Sequence, residues 1–184
     1  MTPLDLWLPV LLASVAVFLV SSLIHMVLQW HNGDFDRLAG EERILALLRE
    51  EGVEAGQYMF PCAKSMAEFQ TPEHQEKVKL GPLGVLIVRS GYSMGKSLGQ
   101  WFLFTVLVSA FVAYLAAGAL EPGAAASAVF CFTLAVALLG YAFSSVQESI
   151  WKGLSWCTTV RFFADGVAYG AATAAVFTWL WPGA

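Results

Sequence analysis

Apolar residues arrive along the chain in four long runs separated by polar stretches. The first covers residues 6–30, and no Asp, Glu, Lys or Arg occurs between Asp5 and Asp34. The others cover about 97–120, 123–147 and 158–181, the last with Arg161 and Asp165 near its start. A helix needs about 20 mostly apolar residues to cross a bilayer's hydrocarbon core, and each run is long enough. The runs are also too uniformly apolar for amphipathic helices lying on a membrane surface. The expected fold class is therefore an all-α integral membrane protein with four transmembrane helices, read as one membrane domain over 1–184. The stretch from Met1 to Asp5 carries no positive charge. A signal peptide needs a basic start, so the first run is read as a retained helix.

The polar segment 31–93 lies between the first two runs and mixes both signs of charge, as a folded insert does. Its 41–51 stretch places Ile44, Leu47 and Leu48 on one side of a helix, with Gly52 as the stop. A second helix is expected over 65–79, with a restart at Thr71-Pro72-Glu73, where Thr71 caps and Pro72 suits the first turn. Gly81-Pro82-Leu83-Gly84 reads as a turn, and 85–88 as a short strand pairing near 57–60. The insert is thus a small α unit with a β hairpin.

Composition agrees. Of 184 residues, 58% are hydrophobic and 13% charged, about half the charged share of a soluble domain. This excludes a disordered chain. Three cysteines, an odd and small number, argue against a disulfide scaffold. A net charge of −4 offers no basic surface, so nucleic acid is not expected as a partner.

The basic residues set an orientation. Eight of the ten, Arg37 through Lys96, lie between the first two runs, and Lys152 and Arg161 flank the connection between the last two. With four spans, all ten fall on one side, which is the cytoplasmic one by the positive-inside rule. Both termini then face outward. The tryptophans fit the same scheme: Trp30, Trp101, Trp151 and Trp156 at the inner interface, and Trp7, Trp179 and Trp181 at the outer one.

Ionisable groups inside a span are functional candidates. His25, Gln147, Glu148, Arg161 and Asp165 all fall in the inner half and form the candidate cluster, with Arg161 and Asp165 four residues apart on one helix face. The cluster suits a structural lock between spans or a proton- or cation-binding vestibule. His25 and His31, six residues apart, fall about 120° apart on a regular helix and do not share a face. For metal, the candidates are His31, Asp34 and Asp36, whose Asn32-Gly33-Asp34 context equally suits a turn. Cys62, Cys131 and Cys157 lack metal-type spacing. The stretch Ser90 to Ser97 imitates a phosphate loop, but Ser90 stands where the first glycine is required, so nucleotide is not expected. Catalytic motifs are absent, and no cofactor is predicted. Gly166, Gly170 and Ala174, at four-residue spacing, form a face for close helix packing.

Several strings form a recognisable set: Trp30-His31 with Asp34-Phe35, Gly56-Gln57-Tyr58, Met94-Gly95-Lys96-Ser97-Leu98-Gly99-Gln100-Trp101, Val146-Gln147, Ile150-Trp151, Asp165-Gly166 with Tyr169, and Trp179-Leu180-Trp181-Pro182. With these the chain resembles a group of small uncharacterised bacterial four-span inner-membrane proteins that has no assigned activity. The resemblance implies a bacterial inner-membrane location and carries over no catalytic residue. The function expected from the residues is a scaffold or accessory subunit, in contact with lipid and with copies of itself or other membrane subunits. The alternative is a small oligomeric channel or proton-coupled transporter using the inner-half cluster.

Overall fold

The computed structural model describes residues 1–183. The chain divides into two compact units: 1–35 together with the chain from Ser93 onward, and 36–92.

The larger unit is helical. A 3₁₀ turn, Pro3–Leu6, leads into α1 (Trp7–Ser22), and the chain continues as a π-helical turn, Leu23–Leu28. In the polar unit follow α2 (Glu41–Glu50), β1 (Gly56–Phe60), α3 (Met66–Phe69), α4 (Pro72–Leu80) and β2 (Gly84–Val88). The helical unit resumes with α5 (Met94–Ala119), α6 (Ala126–Tyr141), α7 (Ser144–Lys152) and α8 (Trp156–Trp179). Three helical stretches are long and apolar enough to cross a membrane: Pro3–Leu28, Met94–Ala119 and Ala126–Lys152. The protein is thus mostly helical, with three such helices and a small two-stranded hairpin between the first and the later ones.

Two apolar runs depart from a simple span. The run expected over 123–147 breaks at Ala142 and Phe143, and its far side is α7. The run expected over 158–181 is α8, 24 residues long, but it falls outside the set of sufficiently apolar helices. The reason is compositional: α8 carries Arg161, Asp165, Tyr169 and several threonines and glycines. Most of these polar and small residues, Thr158, Thr159, Asp165, Gly166, Tyr169 and Thr173 among them, are buried on the face that packs against α1, α6 and α7, while Val160, Val167 and Trp179 stay exposed.

Consecutive long helices run in opposite directions. Trp101 near the start of α5 donates from Nε1 to Ser21 Oγ at the end of α1 (2.9 Å). Tyr141 at the end of α6 approaches Thr105 O of α5 (3.4 Å). Val17, Val112, Ala116, Val129, Ala137 and Phe177 fill the core. Leu103, Leu107, Phe111 and Tyr114 of α5 stay exposed, an apolar outer face of the kind lipid covers.

The small-residue face works inside the chain. A Cβ at Gly166 would lie 2.6 Å from Ala142 Cα, so α8 meets the α6–α7 junction backbone against backbone. One at Gly170 would lie 3.2 Å from a Leu134 methyl, and Ala174 is fully buried. At the far end, Trp181 Nε1 donates to Glu121 O (3.1 Å), and Gly123 N donates to Pro182 O (2.8 Å).

In the polar unit, β1 and β2 pair antiparallel with Tyr58 opposite Leu86. Ser65 caps α3 by accepting from Glu68 N (3.1 Å), and Thr71 caps α4 by accepting from His74 N (3.2 Å). Between residues 36 and 92, His74 is the one buried side chain among the described residues. Tyr58, Met59, Phe60, Phe69, Leu83 and Ile87 are all exposed.

A histidine–carboxylate site at one end of the helical unit

The site is built where the first helix ends. The π turn closes with Gln29 N donating to Ile24 O, five residues back (3.0 Å), and Gln29 itself takes a left-handed conformation, φ 51°. A π turn inside a helix redirects side chains at functional positions. Two further turns follow, Asn32 N to Gln29 O (3.1 Å) and Asp34 N to His31 O (3.0 Å). The chain therefore doubles back, and the rings of His25 and His31 stack with centroids 4.7 Å apart. The regular-helix expectation of separate faces is corrected here: from Leu23 onward the helix is not regular.

Phe162 of α8 stacks on His31 as well, at 4.9 Å. His31 makes two polar contacts. Its Nδ1 lies 2.5 Å from Asp34 Oδ2, and its Nε2 lies 2.8 Å from Asp165 Oδ2. His25 Nε2 lies 3.6 Å from the same Asp165 oxygen and 3.3 Å from the Tyr169 hydroxyl. Asp34 also accepts from Arg161 Nη1. Asp165 is 2% exposed, and its Oδ1 has no hydrogen-bond partner. The Trp30 side chain lies close to Asp165 without forming a well-aligned bond to that oxygen.

Burial pushes the Asp34 carboxyl up, but the hydrogen bonds from His31 and Arg161 outweigh it and hold the group below the usual carboxylate range. Asp34 is thus a carboxylate at neutral pH. A buried carboxylate of this kind is stable only with its partners in place.

The structure brings His25 and Asp165 together and adds His31 and Asp34, which the sequence had placed in a different group. Arg161 joins through Asp34 rather than through Asp165, although both share α8. Glu148 lies elsewhere, paired with Lys152 of its own helix (2.8 Å). Gln147 beside it is exposed, and so is Asp36, which belongs to the polar unit. Tyr169 is the member that charge-based reading underweights. Asp165, Tyr169 and Thr173 are buried at four-residue spacing on α8, a polar stripe beside the glycine stripe. Its hydroxyl neighbourhood extends inward: the Tyr141 ring meets the Tyr169 ring edge-on at 5.8 Å, and Ser109 and Thr105 are fully buried nearby on α5.

Chemically, the arrangement can lock the loop after α1 onto α8, exchange a proton among imidazole and carboxylate groups, or ligate a cation. No known family, curated protein or solved structure matches the chain.

Proposed function

We propose that the chain is a four-span bacterial inner-membrane protein that acts as a scaffold or accessory subunit. In this reading α8 is the fourth span, residues 31–93 face the cytoplasm, and both termini face outward. The distribution of lysine and arginine supports that orientation. The observation that carries the functional reading is the polar unit. It forms a hairpin and three short helices yet leaves Tyr58, Met59, Phe60, Phe69, Leu83 and Ile87 exposed. Tyr58 and Phe60 lie on one face of the hairpin and Met59 and Ile87 on the other, and exposed apolar surface of this kind supports a contact with a partner or a membrane. The helical unit uses its small-residue face on itself, which directs the reading to the polar unit as the assembly surface.

Native mass spectrometry after gentle detergent extraction tests this. The expected result is an oligomer or a hetero-complex that Phe60→Ser with Ile87→Ser dissociates. A bare monomer that keeps the same mass in both forms would sink the reading.

A second reading, a small oligomeric channel or proton-coupled transporter, is favoured by one observation. The Asp165–Tyr169–Thr173 stripe leads from the histidines into the hydroxyl-lined interior. A pH-driven flux in liposomes that Asp165→Asn or His25→Ala abolishes would establish it in place of the first. Glu148 takes no part in it, because its ion pair with Lys152 holds it apart.

A further inference from the structure

We propose that His25, His31 and Asp165 form a binding site for a first-row divalent transition metal, with zinc as the test ion. The proposal stands independently of the scaffold reading. One ligand atom from each of the three residues falls within 4.8 Å of the others. Asp165 Oδ2 lies 2.8 Å from His31 Nε2 and 3.6 Å from His25 Nε2. A tetrahedral ion with bonds near 2.0–2.1 Å sets its ligand atoms about 3.3 Å apart. The two separations on Asp165 Oδ2 bracket that value, and rotation of the His25 ring out of its stack on His31 would bring all three onto one ion.

The hydrogen-bond inventory strengthens the case. His31 Nδ1 is committed to Asp34. A neutral imidazole that donates there presents a bare lone pair at Nε2. That lone pair faces a carboxylate oxygen at 2.8 Å, and two lone pairs at such a distance repel unless something positive lies between them. A metal ion satisfies this, and so does a proton. Two features separate the possibilities. A carboxylate that orients a ligating histidine through its other nitrogen is the common supporting arrangement of metal sites, and Asp34 holds that place. The unpartnered Oδ1 of Asp165, buried with its residue, gives a second oxygen that a shared proton on Oδ2 leaves unused and a metal can take up.

The donor set selects the ion. Two imidazole nitrogens and one carboxylate suit zinc, iron, nickel or copper, whereas calcium and magnesium prefer all-oxygen sites. Three protein ligands leave a coordination position open. The His25 side chain is 43% exposed, so that flank of the cluster is not sealed by the protein itself.

The test uses the full chain in detergent, stripped of metal with a chelator and titrated with zinc against a chromophoric competitor. The expected result is saturable uptake of one equivalent. His25→Ala and His31→Gln are each expected to weaken it about 10- to 100-fold. His74→Ala, in the polar unit, leaves it unchanged. Zinc K-edge absorption is expected to report imidazole and oxygen neighbours without sulfur, which excludes the exposed thiols Cys62, Cys131 and Cys157. Because the wild-type titration needs no variant, a folding defect cannot rescue the idea. Absence of saturable binding in the wild type would overturn it and leave the proton as the bridging charge. Undiminished binding in the His25→Ala His31→Gln double variant would overturn it too, as adventitious zinc.

Discussion

The helical unit is closed differently at its two ends. Where α8 stops, the Trp181 indole donates to Glu121 O and Gly123 N to Pro182 O. Every group in that clasp is neutral. Where α8 begins, the clasp joins Asp34, His31, Arg161 and Asp165. A neutral hydrogen bond contributes about 1 kcal/mol net. Burying a charge costs several kcal/mol before its partner offsets the loss. The neutral end demonstrates that this chain can tie helix ends together without charge. Charges concentrated at the opposite end are therefore more than closure requires, and that surplus is the ground for the cation site proposed beside the stacked histidines.

The sharpest way to break the comparison is to unpair the charged end. Asp34→Ala leaves Arg161 and His31 without their shared carboxylate. Removing one partner of a buried pair costs roughly 3–5 kcal/mol, and the partial exposure of Arg161 places the expected loss near 3. Equilibrium unfolding in mixed detergent micelles measures it. A loss no larger than that of a variant at the neutral clasp would erase the distinction between the ends.

A smaller effect is expected where α8 touches the α6–α7 junction. Gly166→Ala puts a methyl 2.6 Å from the Ala142 backbone, and overpacking of this kind costs about 1–3 kcal/mol. The same unfolding assay reads it. Because Asp165 is the neighbouring residue, a shift of α8 here also loosens the charged end. The neutral clasp offers the milder counterpart. Trp181→Phe keeps an aromatic ring but removes the donor to Glu121 O and part of a buried indole, with an expected loss of about 1–2 kcal/mol. An equal loss at both ends would mean the charged cluster contributes closure only.

What the sequence disclosed divides along similar lines. Runs of apolar residues located the long helices, because lipid and core select for them over twenty positions at a time. The pairing of 57–60 with 85–88 was legible from the short apolar run that follows the Gly81-Pro82-Leu83-Gly84 turn, and the α4 start from Thr71 and Pro72. The site was only half legible. His25 and Asp165 drew notice as ionisable groups in apolar runs. Their convergence with His31 depends on the π turn at Leu23–Leu28 and the left-handed Gln29, and neither has a composition signal. Periodicity of 3.6 residues was the wrong ruler there. The exchange of Arg161 from Asp165 to Asp34 was hidden for a related reason: helical spacing reports which groups share a face, not what a folded-back loop brings to it. The break at Ala142 escaped notice because alanine and phenylalanine are as apolar as the run around them.

The smallest expected effect belongs to Glu148. Sequence position places it with the charged end, yet its carboxylate pairs with Lys152 one turn along α7, and both side chains are nearly half exposed. Pairs of this kind contribute 0 to about 1 kcal/mol, and helical ones about 0.3–0.5. Glu148→Gln should accordingly change unfolding by less than about 0.5 kcal/mol and leave zinc uptake as in the wild type. The contrast with Asp34→Ala carries the weight. Both substitutions remove one carboxylate near the start of α8, so they alter the net charge of that region alike. If the difference between the ends came from local charge alone, the two variants would behave alike. If it comes from the paired, buried geometry around His31, only Asp34→Ala matters. A Glu148→Gln variant that loses stability or zinc binding on the scale of Asp34→Ala would move the boundary of the site onto α7.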